Sequence, residues 1–233
     1  MRAALIPMKE FSQAKMRLAD VLDRTARAEL ALAMLTDVIS ACNESGCFDI
    51  VAVVSADGEA LRHARELGAK PLAEPAAIRT ASGLQALNDG LTFGQRYLAR
   101  RVGASELVIL PADIPLVRAD DVRAVVDALG AAPQTGRPAG PRAVIVRSQD
   151  NGTNALALRP PEAIAMRFGR DSADAHGAAA QEAGLDVVEL DIDRLRFDVD
   201  APEDLDALPG LPAGAATRGW IDARTRYQAT GTR

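Results

Sequence analysis

The chain has 233 residues, with 27 Lys and Arg against 32 Asp and Glu, a net charge of -5, and 48% hydrophobic residues. That length suits one large α/β domain with a sizeable core. The negative balance removes any general attraction to nucleic acid or an anionic membrane, so an anionic ligand has to be held by local groups.

The opening MRAALIPMKE is interrupted too soon for a signal peptide, and no apolar run reaches the roughly 20 residues of a membrane span, so a cytoplasmic location is expected. Short runs rich in Val, Ile and Leu predict strands over 3–8, 49–55, 69–74, 106–112, 141–148, 154–159 and 186–191. Between them, helical periods predict helices over about 24–44, 58–67, 80–101, 120–129, 160–167, 172–183 and 202–208. The alternation is that of a mostly parallel sheet covered by crossover helices. In the first helix, Leu30, Leu32, Leu35, Val38 and Ile39 form one stripe for the sheet, leaving Arg27 and Glu29 to water. Cys42 and Cys47 match no zinc or redox spacing and read as free, packed thiols. GAAPQTGRPAGP, residues 130–141, reads as a loop. After residue 209 the apolar period fades, which predicts a surface tail with Trp220 as its one packing residue.

Ligands of open α/β sheets bind beyond the carboxyl ends of the strands. After the first strand stand Lys9, Lys15 and Arg17, which can clamp phosphates or simply be solvated. Neither GxxxxGK[ST] nor GxGxxG is present there. After the fourth strand Asp113 lies between Pro111 and Pro115, whose rings hold the chain on a fixed, non-helical course. Together with Asp198 of FDVDAPEDL it offers the hard oxygens that suit Mg²⁺, whereas Asp200, just before Ala201-Pro202, reads as a helix N-cap. Asn151-Gly152 signals a hairpin, beside which Thr153 and Asn154 can lend hydroxyl and amide groups. Gly169 and Ser172 stand at a predicted helix start, a favourable place for an anion. His63 and His176 both read as helix-surface residues, too few for a Ser-His-Asp triad or a histidine-rich metal centre.

In order along the chain, IPMKEFSQAKMRL, ILPADIPLV, DNGTNALAL, FGRDSADAHGAAAQEAGL and FDVDAPEDL resemble the CofC/FbiD-type guanylyltransferases of coenzyme F-420 biosynthesis. The resemblance runs from residue 3 to about 208 and implies a GT-A type nucleotidyltransferase domain over 1–209, with 210–233 as a surface or partly disordered tail. It implies GTP over the first strands, with Pro7, Lys9, Lys15, Arg17, Gly83 and Gln85 binding the nucleotide. Mg²⁺ would lie on Asp113 and Asp198, and Lys15 would act with them in catalysis. Thr153, Gly169 and Ser172, with Asn154 beside them, would hold the phosphorylated acceptor. Two positions depart from the family pattern: Gln85 stands where Asn is expected and Ala173 where an aromatic residue is usual.

The implied reaction transfers GMP from GTP to 2-phospho-L-lactate, phosphoenolpyruvate or 3-phospho-D-glycerate and releases pyrophosphate. An acceptor phosphate is already ionised at neutral pH and attacks without a general base, which suits a chain poor in histidine. The expected partners are therefore GTP and a small phosphorylated acid, with neither nucleic acid nor membrane, and Trp220 is a candidate homodimer contact. The rivals are a nucleotidyltransferase for a molybdenum cofactor or a sugar phosphate, a GT-A glycosyltransferase using Asp198-Val199-Asp200 as D-x-D, and a non-catalytic module of receiver type. The last needs acids after the first strand, where Pro7, Met8 and Lys9 stand.

Overall fold

The computed structural model describes residues 1–10, 15–78, 83–131 and 140–230. In chain order the elements are β1 (Arg2–Pro7), α1 (Arg24–Ser45), β2 (Ile50–Ser55), α2 (Gly58–Glu66), β3 (Lys70–Ala73), α3 (Gly83–Tyr97) and β4 (Glu106–Ile109). There follow α4 (Ala119–Gly130), β5 (Arg142–Arg147), β6 (Thr153–Arg159), α5 (Ser172–Glu182), β7 (Asp186–Leu190) and three further helices, α6 (Asp193–Arg196), α7 (Pro202–Ala207) and α8 (Ala215–Thr230).

The strands form one sheet in the order β3-β2-β1-β4-β6-β5-β7. Only β6 runs antiparallel to its neighbours, β4 and β5, so the sheet is mostly parallel, as the alternating pattern implies. Both faces are buried. Along β1, Ala4 and Ile6 join the side chains of α1, α2 and α4, while Ala3 and Leu5 meet those of α3 and α5. The strand order reverses at β1, whose neighbours are β2 and β4, and this leaves a crevice beyond their carboxyl ends. Helix α3 can lie close on β1 because residue 94 is glycine: a Cβ there would come within 2.8 Å of the Leu5 side chain. No helix among the described residues is long and apolar enough to cross a membrane.

Four expectations need correction. The helix predicted over 160–167 does not form. Pro160 and Pro161 bring no N–H to a helical ladder, and the carbonyls of Pro161 and Ile164 accept instead from the buried Gln95 amide, at 2.8 and 3.1 Å. Arg27 is buried rather than wet, and donates to the Leu22 carbonyl. The segment after 209 carries α8, which packs on α1 with Ile221 buried and Trp220 half-buried in a satellite core. Trp220 thus packs within the chain, beneath the Arg224 guanidinium. The buried Asp37 of α1 accepts from the backbone N–H groups of Ala216 and Thr217, capping the start of α8. Just before it, Gly214 N–H donates to the Pro115 carbonyl, and Arg118 donates to the Pro212 and Ala213 carbonyls. The fourth concerns His63, which is half-buried, its Nε2 2.7 Å from Thr36 Oγ1. Cys42 and Cys47 are free, as expected, and burial pushes the Cys42 thiol up to about 12. Most of the loop predicted over 130–141, the start of the helix predicted over 80–101 and the end of the chain lie outside the described residues.

Candidate active site

A cleft of about 620 Å³ opens at the β1–β4 crevice. Its polar wall begins with Asp113. Three residues separate Asp113 from the end of β4, and its backbone carbonyl accepts from Val199 N–H at 3.1 Å, which joins the Pro111–Pro115 turn to the FDVDAPEDL segment. Before α7 begins at Pro202, that segment is non-helical, with extended backbone at Phe197 and Ala201. Val199 is buried on one side while Asp198 and Asp200 emerge together on the other, the period of two expected of such a chain.

Lys15 closes the cluster. Its Nζ lies 2.6 Å from Asp113 Oδ2 and 3.0 Å from Asp200 Oδ1, with the side chain only 9% exposed. Its φ of 50° puts a non-glycine residue in the left-handed region, a conformation that costs about 1 kcal/mol and that the two ion pairs offset. Burial alone would depress the Lys15 ammonium, but Asp113 and Asp200 outweigh it and hold the lysine charged above its usual range. Burial pushes Asp200 up, whereas Lys15 pulls it further down, so Asp200 stays ionised below the usual carboxylate range. Arg17 adds a longer contact to Asp200, 3.6 Å. Among the described residues Asp198 forms no ion pair. Burial, and then the neighbouring Asp113, lift its carboxyl to about 7.

Among the described residues no group of three His, Cys, Asp or Glu side chains converges to hold a metal ion by itself. Mg²⁺ does not need one, since it takes one or two carboxylates and completes its shell with phosphate oxygens and water. Asp113 and Asp198 fit that role: both are hard oxygen donors and both line the cleft.

On β6, neighbouring residues serve opposite faces. Asn154 lines the cleft and donates through Nδ2 to Asp198 Oδ1 at 3.2 Å, so its amide orients that carboxylate. Thr153 turns the other way, its Oγ1 lying 2.9 Å from Ser172 Oγ and 3.1 Å from His176 Nδ1. The hairpin signalled by Asn151-Gly152 joins β5 to β6. At the start of α5, Ser172 N–H donates to Gly169 O and Ala173 N–H to Asn151 O, while the Ser172 side chain lines the cleft beside Thr153. Pro7, Lys9, Gly83 and Gly169 also line the cleft. Gln85 is not among its lining residues, and its amide donates to Asp89 one turn further along α3.

The model of the family described as "Guanylyl transferase CofC like" matches residues 1–217. The chain belongs to this family. A phosphoenolpyruvate guanylyltransferase of Sphaerobacter thermophilus is 40% identical over 215 residues, covering 92% of this chain and 96% of the relative. One of Rubrobacter xylanophilus is 40% identical over 205 residues, covering 87% and 90%. The chain is therefore a nucleotidyltransferase of the guanylyltransferase kind. Among solved structures, one from Desulfovibrio desulfuricans G20 assigned as a nucleotide-diphospho-sugar transferase aligns with a TM-score of 0.64 at 18% identity, covering 89% of this chain and 85% of that one. CMP:2-keto-3-deoxy-manno-octonic acid synthetase solved with CTP aligns at 0.56 and 13%, covering 90% and 97%. At such identities these two speak for the fold alone, which is of the nucleotide-diphospho-sugar transferase type.

Sequence reading missed two members of the site. Asp200 was expected as a helix cap, but the N-cap position falls to Ala201, with Asp204 accepting from the Asp200 and Ala201 N–H groups, and the Asp200 carboxylate pairs with Lys15. The i, i+2 spacing from Asp198 was its available signal. His176, expected on the helix surface, is fully buried beneath Ser172, with its ring edge-on to Phe168. The i, i+4 spacing Ser172–His176 puts both on one helix face.

Burial, with a smaller push from Arg167, lowers the His176 imidazole from 6.5 to about 4. The unfolded chain therefore binds a proton there between pH 6.5 and 4 that the folded chain refuses. Stability from this residue is complete above pH 6.5 and is lost as pH falls through 4, about 3 kcal/mol in all. Urea unfolding from pH 7 to 4 should show this slope in the natural protein and not in His176→Gln.

Proposed function

We propose that this cleft transfers GMP from GTP to a phosphorylated three-carbon acid, with phosphoenolpyruvate the preferred acceptor, in the pathway to coenzyme F-420. The observation that supports it most is the division of one cleft between a carboxylate–lysine cluster and, on the next residue of β6, a pair of hydroxyls at a helix start. Two polyanions can then be held side by side against their repulsion, which is most of what this reaction asks of a protein.

An oxygen of the acceptor phosphate attacks the α-phosphorus, the bond from that phosphorus to the bridging oxygen breaks, and pyrophosphate leaves. No side chain has to remove a proton. Mg²⁺ on Asp113 and Asp198 would offset charge on the triphosphate as it builds on the leaving group. Lys9, Lys15 and Arg17 neutralise the nucleotide phosphates, and Leu84 and Leu87 on the same cleft offer an apolar surface to the base. Thr153, Gly169 and Ser172 receive the acceptor. Free thiols at Cys42 and Cys47 suit a cytoplasmic enzyme.

The test is pyrophosphate release with each nucleoside triphosphate, Mg²⁺, and phosphoenolpyruvate, 2-phospholactate, 3-phosphoglycerate or a sugar phosphate. GTP with phosphoenolpyruvate should give the fastest release, with none in the absence of a divalent cation. Release with the sugar phosphate alone would overturn the acceptor assignment.

A further inference from the structure

His176 does not line the cleft, yet it touches a residue that does. The backbone N–H of Arg167 points at its Nε2, 3.0 Å away, and a backbone amide can only donate. Nε2 must therefore carry a lone pair. In the neutral ring the proton then sits on Nδ1 and is donated to Thr153 Oγ1.

The count of protons sets the direction of the neighbouring bonds. His176 Nδ1, Thr153 and Ser172 bring three hydrogens to two contacts, Nδ1 to Oγ1 and Oγ1 to Oγ. The first contact takes the ring proton and the second takes one hydroxyl proton. One hydroxyl proton is left over, and both hydroxyl residues line the cleft. With the other tautomer, Nδ1 would accept from Thr153 and Thr153 from Ser172, which leaves the cleft lone pairs only. Lone pairs repel a phosphate or carboxylate oxygen.

We propose that His176 is a positioning residue which, through its tautomer, fixes the Thr153–Ser172 hydroxyl pair as a hydrogen-bond donor toward the acceptor anion. The role rests on the reading of these hydroxyls as the acceptor site. It explains why an imidazole is packed against the sheet at a place where any apolar side chain would fill space.

Two variants separate orientation from packing. In His176→Gln the side-chain carbonyl can replace Nε2 as acceptor for Arg167 N–H, but the Nδ1 donor is gone. In His176→Asn the amide nitrogen stands where Nδ1 stood, so the donor to Thr153 is kept. The Gln variant should raise KM for phosphoenolpyruvate about tenfold with KM for GTP unchanged, and the Asn variant should restore most of the loss. Equal effects of the two variants, or a joint rise in both KM values, would assign His176 to packing and overturn the proposal. Independently of any substrate, ¹⁵N NMR of the natural protein at pH 7 should show the His176 ring protonated at Nδ1 and bare at Nε2. The opposite tautomer would refute the proposal even if both variants failed to fold. Should no phosphorylated acid be accepted, the functional reading fails, while the NMR result still decides the orientation of the hydroxyl pair.

Discussion

Asp113→Ala should lower pyrophosphate release about a thousandfold, equivalent to about 4 kcal/mol of transition-state stabilisation, and leave the melting temperature nearly unchanged. The side chain is 29% exposed and lies in a turn held by its backbone: its carbonyl accepts from Val199 N–H, and Pro111 and Pro115 fix the path on either side. The core therefore loses little when the carboxylate is removed. The site loses a partner of Lys15 and a proposed metal ligand together. Turnover and thermal melting measured on the same preparation check the claim, and turnover within tenfold of the natural protein would remove Asp113 from the chemistry.

Lys15→Met is expected to act in two opposite directions. Without the ammonium, turnover should fall about a hundredfold, because the triphosphate loses a buried cation that is already in place. The Mg²⁺ concentration giving half-maximal rate should fall as well. Lys15 sits between Asp113 and Asp200, and taking its charge away makes the notch more negative by one and ends the competition between ammonium and divalent cation. Measuring rate against Mg²⁺ at saturating nucleotide separates the two effects. If the variant needed more Mg²⁺, the lysine would be supporting the metal rather than competing with it.

The sheet was legible because its inner strands are short apolar runs buried on both faces, and each predicted run coincides with a strand to within a few residues. Where the helix over 160–167 was expected, Ile164, Met166 and Phe168 are buried at a spacing of two, which is not a helical period, and the Pro161 and Ile164 carbonyls turn to Gln95 instead of an intrahelical ladder. Helix α8 escaped because it is held by distant groups, chiefly Asp37, and by few large side chains of its own. In the site, residues read from strand ends and from the ordered motifs came together, from Lys15 and Asp113 to Thr153, Ser172 and Asp198. What could not be read was which partner each would choose. An aspartate before a helix looks like a cap until Ala201 is seen to take the N-cap position. A histidine among alanines looks solvated until the sheet beneath it is built.

The brace between Gly214, Arg118 and the Pro115 turn bears on how the enzyme comes into being. By Asp200 every cleft-lining side chain named above has been synthesised, yet the turn that aims Asp113 leans on backbone that leaves the ribosome later. The residues of the pocket are thus all present in the chain before the last backbone contact of the Asp113 turn can form.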